Sequence, residues 1–291
     1  MRILFTTGCM NKGGAERVVA NLANAFAKDN NVGIVITIND APKYDLNKKI
    51  ILASLDEGIV GHNLITKNIK RIKNLKRFIR NFKPDIIVSF LPEPSYRVLF
   101  LSMFNKIPVI VSVRNDPKIE YKSFKSRLIM KLLYPLAKGF VFQTKEAQEY
   151  FSSKIQSKSI VIPNPVDKRF LEKNCEGQRS NTIVTVGRLE EQKNHELLIN
   201  AFSKITNEIP EYKLIIYGEG SLRERLEQQI KNLKLEEKVL LPGVEKNIEE
   251  KIYNARLFVL SSNYEGMPNA LMEAMALGIP SISTDCPCGR T

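Results

Sequence analysis

"RILFTTGCMNKGGAERVVANLANAF", residues 2–26, is the stretch from which the fold can be read. Arg2 to Thr6 reads as a short buried strand, a loop ends in Gly13 and Gly14, and Val18, Val19, Leu22 and Phe26 then recur at helical spacing. Strand, glycine loop and helix form half of a βαβ unit. The alternation continues, with strands predicted at Val32–Thr37, Ile50–Leu55, Asp85–Ser89, Val109–Val113, Phe140–Gln143 and Ile160–Ile162 and helical stretches between several of them. Such alternation implies a parallel sheet covered by helices on both faces.

After "IPNPVD" the polar stretch "KNCEGQRSN", just past Pro163 and Pro165, has the composition of an interdomain connection. A second series follows, with strands predicted at Ile183–Val186, Lys213–Tyr217, Val239–Leu241, Leu257–Ser261 and Ser281–Thr284. The expected organisation is therefore two doubly wound, Rossmann-like α/β domains in tandem, residues 1–165 and 166–291.

Composition narrows the class. The chain has 291 residues, 43% hydrophobic and 26% charged, which is ordinary for a folded domain pair. No apolar run approaches the 18 or so residues that span a bilayer, and the N-terminus is too short in its apolar part for a signal peptide, so a cytoplasmic location is expected. Cys9, Cys175, Cys286 and Cys288 show no zinc spacing, His62 and His195 lie far from them, and reduced thiols are expected. The net charge of +13 is uneven: residues 1–170 hold 29 Lys and Arg against 13 Asp and Glu, the rest 15 against 18. A basic half joined to a mildly acidic one points to an anionic partner for the first half.

A second stretch, "NYEGMPNALMEAMALGIP" at 263–280, carries the chemistry. It places Glu265 in a loop after a parallel strand and Glu273 about one and a half turns into the next helix, with Pro268 expected at the first helical position. The crevice outside the carboxyl ends of parallel strands is where such sheets bind ligands. Leu271, Met275 and Gly278 are expected on one packed helix face, with Glu273 off it. Spacing alone favours the plainer reading of a loop charge and a solvated helix glutamate, and other features have to tip it. In "VGRLEEQKN", Arg188 and Lys193 lie between a strand and a helix starting near Asn194, where two cations could clamp a diphosphate or simply face water. His195 reads as an early helix residue without a chemical role. Gly218 and Gly220 in "YGEGS" fit a tight turn as well as a nucleotide loop, and "GCMNKGG" is neither a Walker loop nor a full dinucleotide fingerprint.

Together with "GGAERVVANLA", "KPDIIVSF", "SVRNDP", "FVFQTKE", "IPNPV", "VGRLEEQKNHELLINAF", "LIIYGEG", "LPG" and "EGMPNALMEAMALGIPSISTD", these residues resemble retaining glycosyltransferases of family 4, which have the GT-B architecture. The resemblance implies two Rossmann-like domains facing a cleft and a nucleotide-sugar donor, expected to be a UDP-sugar. Glu265 would hold the sugar hydroxyls, with the backbone of Gly266, Met267, Pro268 and Asn269 beside sugar and phosphates. Glu273 would bind the ribose hydroxyls, and Arg188 and Lys193 the diphosphate. Gly13 and Gly14 would match the loop closing over the donor, Gly218 the nucleotide loop, and Val244 the backbone meeting the nucleobase. Arg114 and Asn115 stand where many relatives carry an acceptor-side histidine. With no Asp-x-Asp in the chain, neither a required metal nor a separate cofactor is expected. Family members continue past "TDCPCGRT", so the resemblance also implies a truncated second domain.

Between Lys67 and Lys83 eight Lys or Arg occur with no acid, while Ile65, Ile69, Ile72, Leu75, Ile79 and Phe82 mark one helical face, expected to pack on the core. "YKSFKSRLIMKLLYPLAKG" adds Lys122, Lys125, Arg127 and Lys131, with Tyr121 and Phe124 beside them. A cationic amphipathic surface of this kind suits an anionic membrane surface, and so a glycan or lipid-linked acceptor in cell-surface polysaccharide assembly. No helix-turn-helix, zinc finger or RNA-stacking signature accompanies the charge, so no nucleic-acid partner is expected. A noncatalytic, nucleotide-binding, membrane-associated remnant is the alternative, and a UDP-sugar epimerase of the same fold a third reading.

Overall fold

The computed structural model describes residues 1–11, 13–39, 42, 44–59, 63–173 and 175–286. His62, Cys288 and the rest of the final "PCGRT" lie outside them. The chain divides into two compact units, Met1–Pro163 and Asn164–Thr291. That division is two residues ahead of Pro165, because Asn164 is tied into the second unit through its side-chain amide, which donates to Asn269 Oδ1 at 2.7 Å.

In the first unit the strands are β1 (Arg2–Thr7), β2 (Asn31–Ile36), β3 (Ile51–Ser54), β4 (Ile86–Phe90), β5 (Val109–Ser112), β6 (Gly139–Phe142) and β7 (Ser159–Val161). They form one parallel sheet in the order β3-β2-β1-β4-β5-β6-β7. The helices are α1 (Gly14–Phe26), α2 (Leu64–Phe82), α3 (Pro92–Asn105), α4 (Pro117–Glu120), α5 (Phe124–Leu133), α6 (Lys145–Glu149) and α7 (Ser153–Gln156). Strand alternation splits the core. Leu4 joins Ile87, Val109 and Phe140 on one face, while Ile3 and Phe5 join Val18, Val19 and Ile34 under α1 on the other. Each fully buried side chain of this size contributes roughly 1.5–3 kcal/mol. With both faces covered, the strands read as near-continuous apolar runs.

Two expectations for this unit need correction. The apolar stripe of α2 is buried only at Leu75 and Ile79, with Ile72 and Phe82 packed at its margin, whereas Ile65 and Ile69 are exposed. A 19-residue helix is about 28 Å long, and the strands beneath have four to six residues, so its first turns overhang the sheet. Tyr121 is not on the basic surface. It is 1% exposed, its hydroxyl 2.6 Å from that of Tyr134, in an aromatic cluster with Tyr150 and Phe151.

The second unit holds β8 (Ser180–Val186), β9 (Lys213–Tyr217), β10 (Val239–Gly243), β11 (Ala255–Leu260) and β12 (Ser281–Ser283), parallel in the order β10-β9-β8-β11-β12. Its helices are α8 (Lys168–Leu171), α9 (His195–Ile205), α10 (Arg223–Asn232), α11 (Ile248–Ile252) and α12 (Asn269–Ala276). Strand order reverses between β8 and β11, which makes their carboxyl ends the switch point where open α/β sheets bind ligands. Pro268 is the cap residue of α12, one position before the expected one. The packed face of α12 is also rotated from the expected one: Ala274 and Leu277 join the core, and Met275 is 62% exposed. Rows 271-275-278 and 270-274-277 have equivalent helical spacing. The structure packs the second against Phe258 and Leu260 of β11.

Candidate functional site

Glu265 and Lys193 come together at the switch point of the second sheet, with Arg188 on the same loop as Lys193. β8 ends at Val186, and the loop that follows carries Arg188 and Lys193 before α9 begins. Gly187 has no side chain, and the methylenes of Lys193 pass so close that a Cβ there would stand 3.2 Å from them, tighter than ordinary van der Waals contact. The lysine stem therefore crosses the strand end toward the loop after β11. There its Nζ lies 2.6 Å from Glu265 Oε1, which also accepts from Ser262 Oγ at 2.6 Å. Both charged side chains are largely shielded from water, so the pair is an interior one whose strength rests on geometry and hydrogen bonding. Arg188, by contrast, is exposed, its Nη2 3.4 Å from Gln192 Oε1.

The two loops are laced by further bonds. Gln192 Nε2 donates to Tyr264 O (3.0 Å), Ser261 Oγ to Lys193 O (2.8 Å) and Asn263 Nδ2 to Glu191 O (2.8 Å). Thr284 Oγ1, after β12, donates to Ser262 O at 2.6 Å. Asn164 holds the start of α12 from another side, its backbone N–H reaching Met267 Sδ at 3.1 Å. Gly266 and Pro268 are buried and Asn269 opens the helix. Polar groups fixed in this way need little reorganisation when charge arrives.

Glu273 is buried, not solvated, on the second turn of α12. Arg169 on α8 senses it: its guanidinium is held above the ordinary arginine range, first by its hydrogen bond to Asp167, with Glu249 and Glu273 adding their charge. Arg169 Nη1 is 3.3 Å from the buried Glu249. Neither Arg169 nor Glu249 could be singled out from sequence, because 80 residues separate them and neither sits in a motif.

His195, the first residue of α9 as expected, is buried. Its Nε2 lies 3.2 Å from the carbonyl oxygen of Arg188, and since a carbonyl only accepts, Nε2 carries the proton. Burial brings its pKa down to about 4, the charge of Lys193 acting in the same direction, so the ring is neutral near pH 7. Gly218, at φ +145°, abuts the same loop: a side chain there would run into the Gly187 carbonyl oxygen, and one at Gly220 into the Leu189 backbone. These glycines shape the Arg188 loop from beneath. Val244 is exposed just past β10.

In the first unit Gly13 caps α1 and its carbonyl accepts from the Tyr44 hydroxyl at 2.7 Å, while Gly14 is the exposed first residue of that helix. Arg114 is stacked 5.1 Å over the Phe90 ring, and burial lowers its pKa to about 10. Asn115 Oδ1 accepts from the N–H of Asp116, which in turn caps α4. Glu120, at the end of α4, is pushed up to about 7, first by burial and then by the charge of Asp116. That carboxyl was missed in the sequence because only folding brings it out of water.

Comparison with known proteins decides the family. Residues 12–170 match the family described as Glycosyltransferase Family 4, and residues 167–291 the one described as Glycosyl transferases group 1. The chain belongs to glycosyltransferase family 4. This family 4 chain is 30% identical over 295 residues, 96% of its length and 80% of the relative's, to the N-acetylgalactosamine-N,N'-diacetylbacillosaminyl-diphospho-undecaprenol 4-alpha-N-acetylgalactosaminyltransferase of Campylobacter jejuni. It is 33% identical over 247 residues to an uncharacterized glycosyltransferase of Methanocaldococcus jannaschii, covering 77% of this chain and 61% of that relative. Among solved structures, Anabaena HepE in complex with UDP-glucose aligns at a TM-score of 0.78 and 17% identity, over 99% of this chain and 81% of that one. The fold of this family 4 member is thus GT-B, one sheet of seven parallel strands and one of five.

Proposed function

We propose that the protein transfers a sugar, with retention of configuration, from a UDP-sugar to a lipid-linked or polysaccharide acceptor. The observation that carries this reading is the meeting of Lys193 and Glu265 at the β8/β11 switch point, with the exposed Arg188 on the Lys193 loop. Glu265 would accept hydrogen bonds from the sugar hydroxyls, with the Gly266–Asn269 backbone alongside. Arg188 and Lys193 would take the diphosphate. An ammonium has three N–H donors, so Lys193 can keep Glu265 and still meet a phosphate oxygen. Glu273, buried on α12, would accept from the ribose hydroxyls, a charge-assisted bond of the stronger kind. Gly218 and Val244 would flank the nucleoside.

No protein nucleophile enters this scheme. The glycosidic carbon loses its bond to the diphosphate oxygen and gains one to the acceptor hydroxyl on the same face, and the departing diphosphate takes the hydroxyl proton. Charge on that leaving group is what Arg188 and Lys193 would stabilise, an effect worth about 3–4 kcal/mol per well-placed donor. Arg114 and Asn115 are assigned to the acceptor and Gly13 and Gly14 to the donor by family resemblance. The Campylobacter relative is named for a diphospho-undecaprenol substrate, and the net +16 of residues 1–170 supports an acceptor presented at an anionic membrane surface.

The test is a panel of nucleotide sugars screened by thermal shift, followed by donor turnover on wild type and Glu265→Ala. A UDP-sugar should raise Tm above all others. Glu265→Ala should abolish turnover while UDP still binds; turnover at the wild-type rate would remove Glu265 from its assigned role.

A further inference from the structure

Helices α3 and α5 pack side by side on one face of the first sheet: the Tyr96 hydroxyl of α3 donates to Ser126 O of α5 at 3.3 Å, and its ring lies 6.0 Å from that of Tyr134 just beyond α5. Both helices then turn apolar side chains outward. On α3 these are Phe100, Met103 and Phe104, the two phenylalanine rings 5.7 Å apart edge to face, with Phe104 72% exposed. On α5 they are Phe124, Leu128 and Leu132, which share a face at i, i+4 and i+8; Phe124 is 76% and Leu132 66% exposed. Exposed large apolar side chains are ordinary one at a time, but a set of this size on two adjoining helices marks a contact surface.

The charges around it identify the occupant. Every exposed charged side chain between residues 100 and 138 is a cation: Lys106, Lys118, Lys122, Lys125, Arg127, Lys131 and Lys138. The two acids in that span, Asp116 and Glu120, are withdrawn from the surface. The one exposed acid on α3, Glu93 in its first turn, is paired with Arg97; an apolar face with so predominantly cationic a surround matches the boundary of an anionic bilayer, acyl chains at the centre and headgroups at the rim. A second copy of the chain would set these cations against their own equivalents, since a two-fold contact pairs like with like.

We infer that the α3–α5 face is the part of the protein that inserts into the interface of an anionic membrane. The inference rests on the membrane-presented acceptor of the preceding section and adds the face and the mode: Phe104 and Phe124 enter the acyl boundary while Lys125 and Lys131 hold headgroup phosphates. Helix α2, the most basic stretch in sequence, spends Lys67 and Arg71 on Asp56, and its exposed large apolar side chains, Leu64, Ile65 and Ile69, are aliphatic and confined to its first two turns.

The chain contains no tryptophan, so a single one reports its own surroundings. Phe104→Trp, and Ile205→Trp at the exposed end of α9 as a control, are mixed at low salt with vesicles of phosphatidylglycerol and phosphatidylethanolamine, with and without brominated acyl chains. The expected result is co-sedimentation of both proteins, with a blue shift and bromine quenching of Phe104→Trp alone, and at least tenfold weaker binding of Lys125→Glu/Lys131→Glu. Co-sedimentation without quenching of Phe104→Trp would overturn the face and leave the membrane reading standing. Absence of co-sedimentation would overturn both. A concentration-dependent blue shift of Phe104→Trp without lipid, with a dimer in gel filtration, would assign the face to a second copy instead.

Discussion

Lys193 Nζ lies 2.6 Å from Glu265 Oε1 although 72 residues separate the two in the chain, and the contact welds the loop after β8 to the loop after β11. Removing one member of such a shielded pair leaves the other charge uncompensated, at a cost of about 3–5 kcal/mol. Glu265→Gln is therefore expected to lower stability by up to that amount, and Lys193→Met added to it to recover part of the loss. Urea unfolding of the two single variants and the double gives the coupling energy. A value near zero would show that the pair holds nothing together.

Gly218 is expected to tolerate no side chain. At φ +145° an L-residue is strained, and its Cβ would meet the Gly187 carbonyl oxygen. Gly218→Ala should lose at least about 2 kcal/mol of stability and weaken UDP binding by disturbing the Arg188 loop. Isothermal titration with UDP checks the second effect, and unaltered binding in a folded variant would separate the glycine from the site.

His195 gives a pH signature of known sign. Its folded pKa, about 4, lies below the usual 6.5, so the unfolded chain binds the proton more readily. The neutral, buried ring contributes its stability fully above pH 6.5, and that contribution is lost as pH falls toward 4, on the order of 3 kcal/mol in all. His195→Gln, which can still donate to Arg188 O, should lack this slope. Chemical denaturation at several pH values between 4 and 7 measures it.

Glu120 should behave in the opposite way. Its folded pKa of about 7 exceeds the ordinary 4.5, so the folded state keeps a proton that the unfolded state releases. Stability falls as pH rises from 4.5 to 7 and is level above. Glu120→Gln is expected to be more stable than wild type at pH 8, by on the order of 3 kcal/mol, and equal to it near pH 4. A constant difference across that range would show that Glu120 does not titrate there.

Strand–helix alternation was legible because both sheets are covered on two faces, so their strands are plain apolar runs bounded by glycine and proline. Many ends moved by a residue, as with β4, which begins at Ile86 where Asp85 was expected, but β8 begins at Ser180, three residues before the expected Ile183, and β11 at Ala255, two before Leu257. Glu265 and Lys193 were legible as site candidates from their positions after parallel strands. Burial was less so. Glu273 was read as lying off the packed face of α12, and Ile65 and Ile69 as core, because helical spacing names a face without saying which neighbour covers it or how far along the helix that neighbour reaches.

From sequence alone came two parallel α/β units, the strand ends that carry the polar residues, and the uneven charge; each depends on the order of residue types along the chain, which periodicity reports directly. Tertiary structure alone decided that Lys193 meets Glu265, that His195 reaches the Arg188 carbonyl, and that Glu120 is shut from water. Those contacts join segments brought close by strand order or by burial, and the free energy of a charge depends on what surrounds it in space, which no local pattern records.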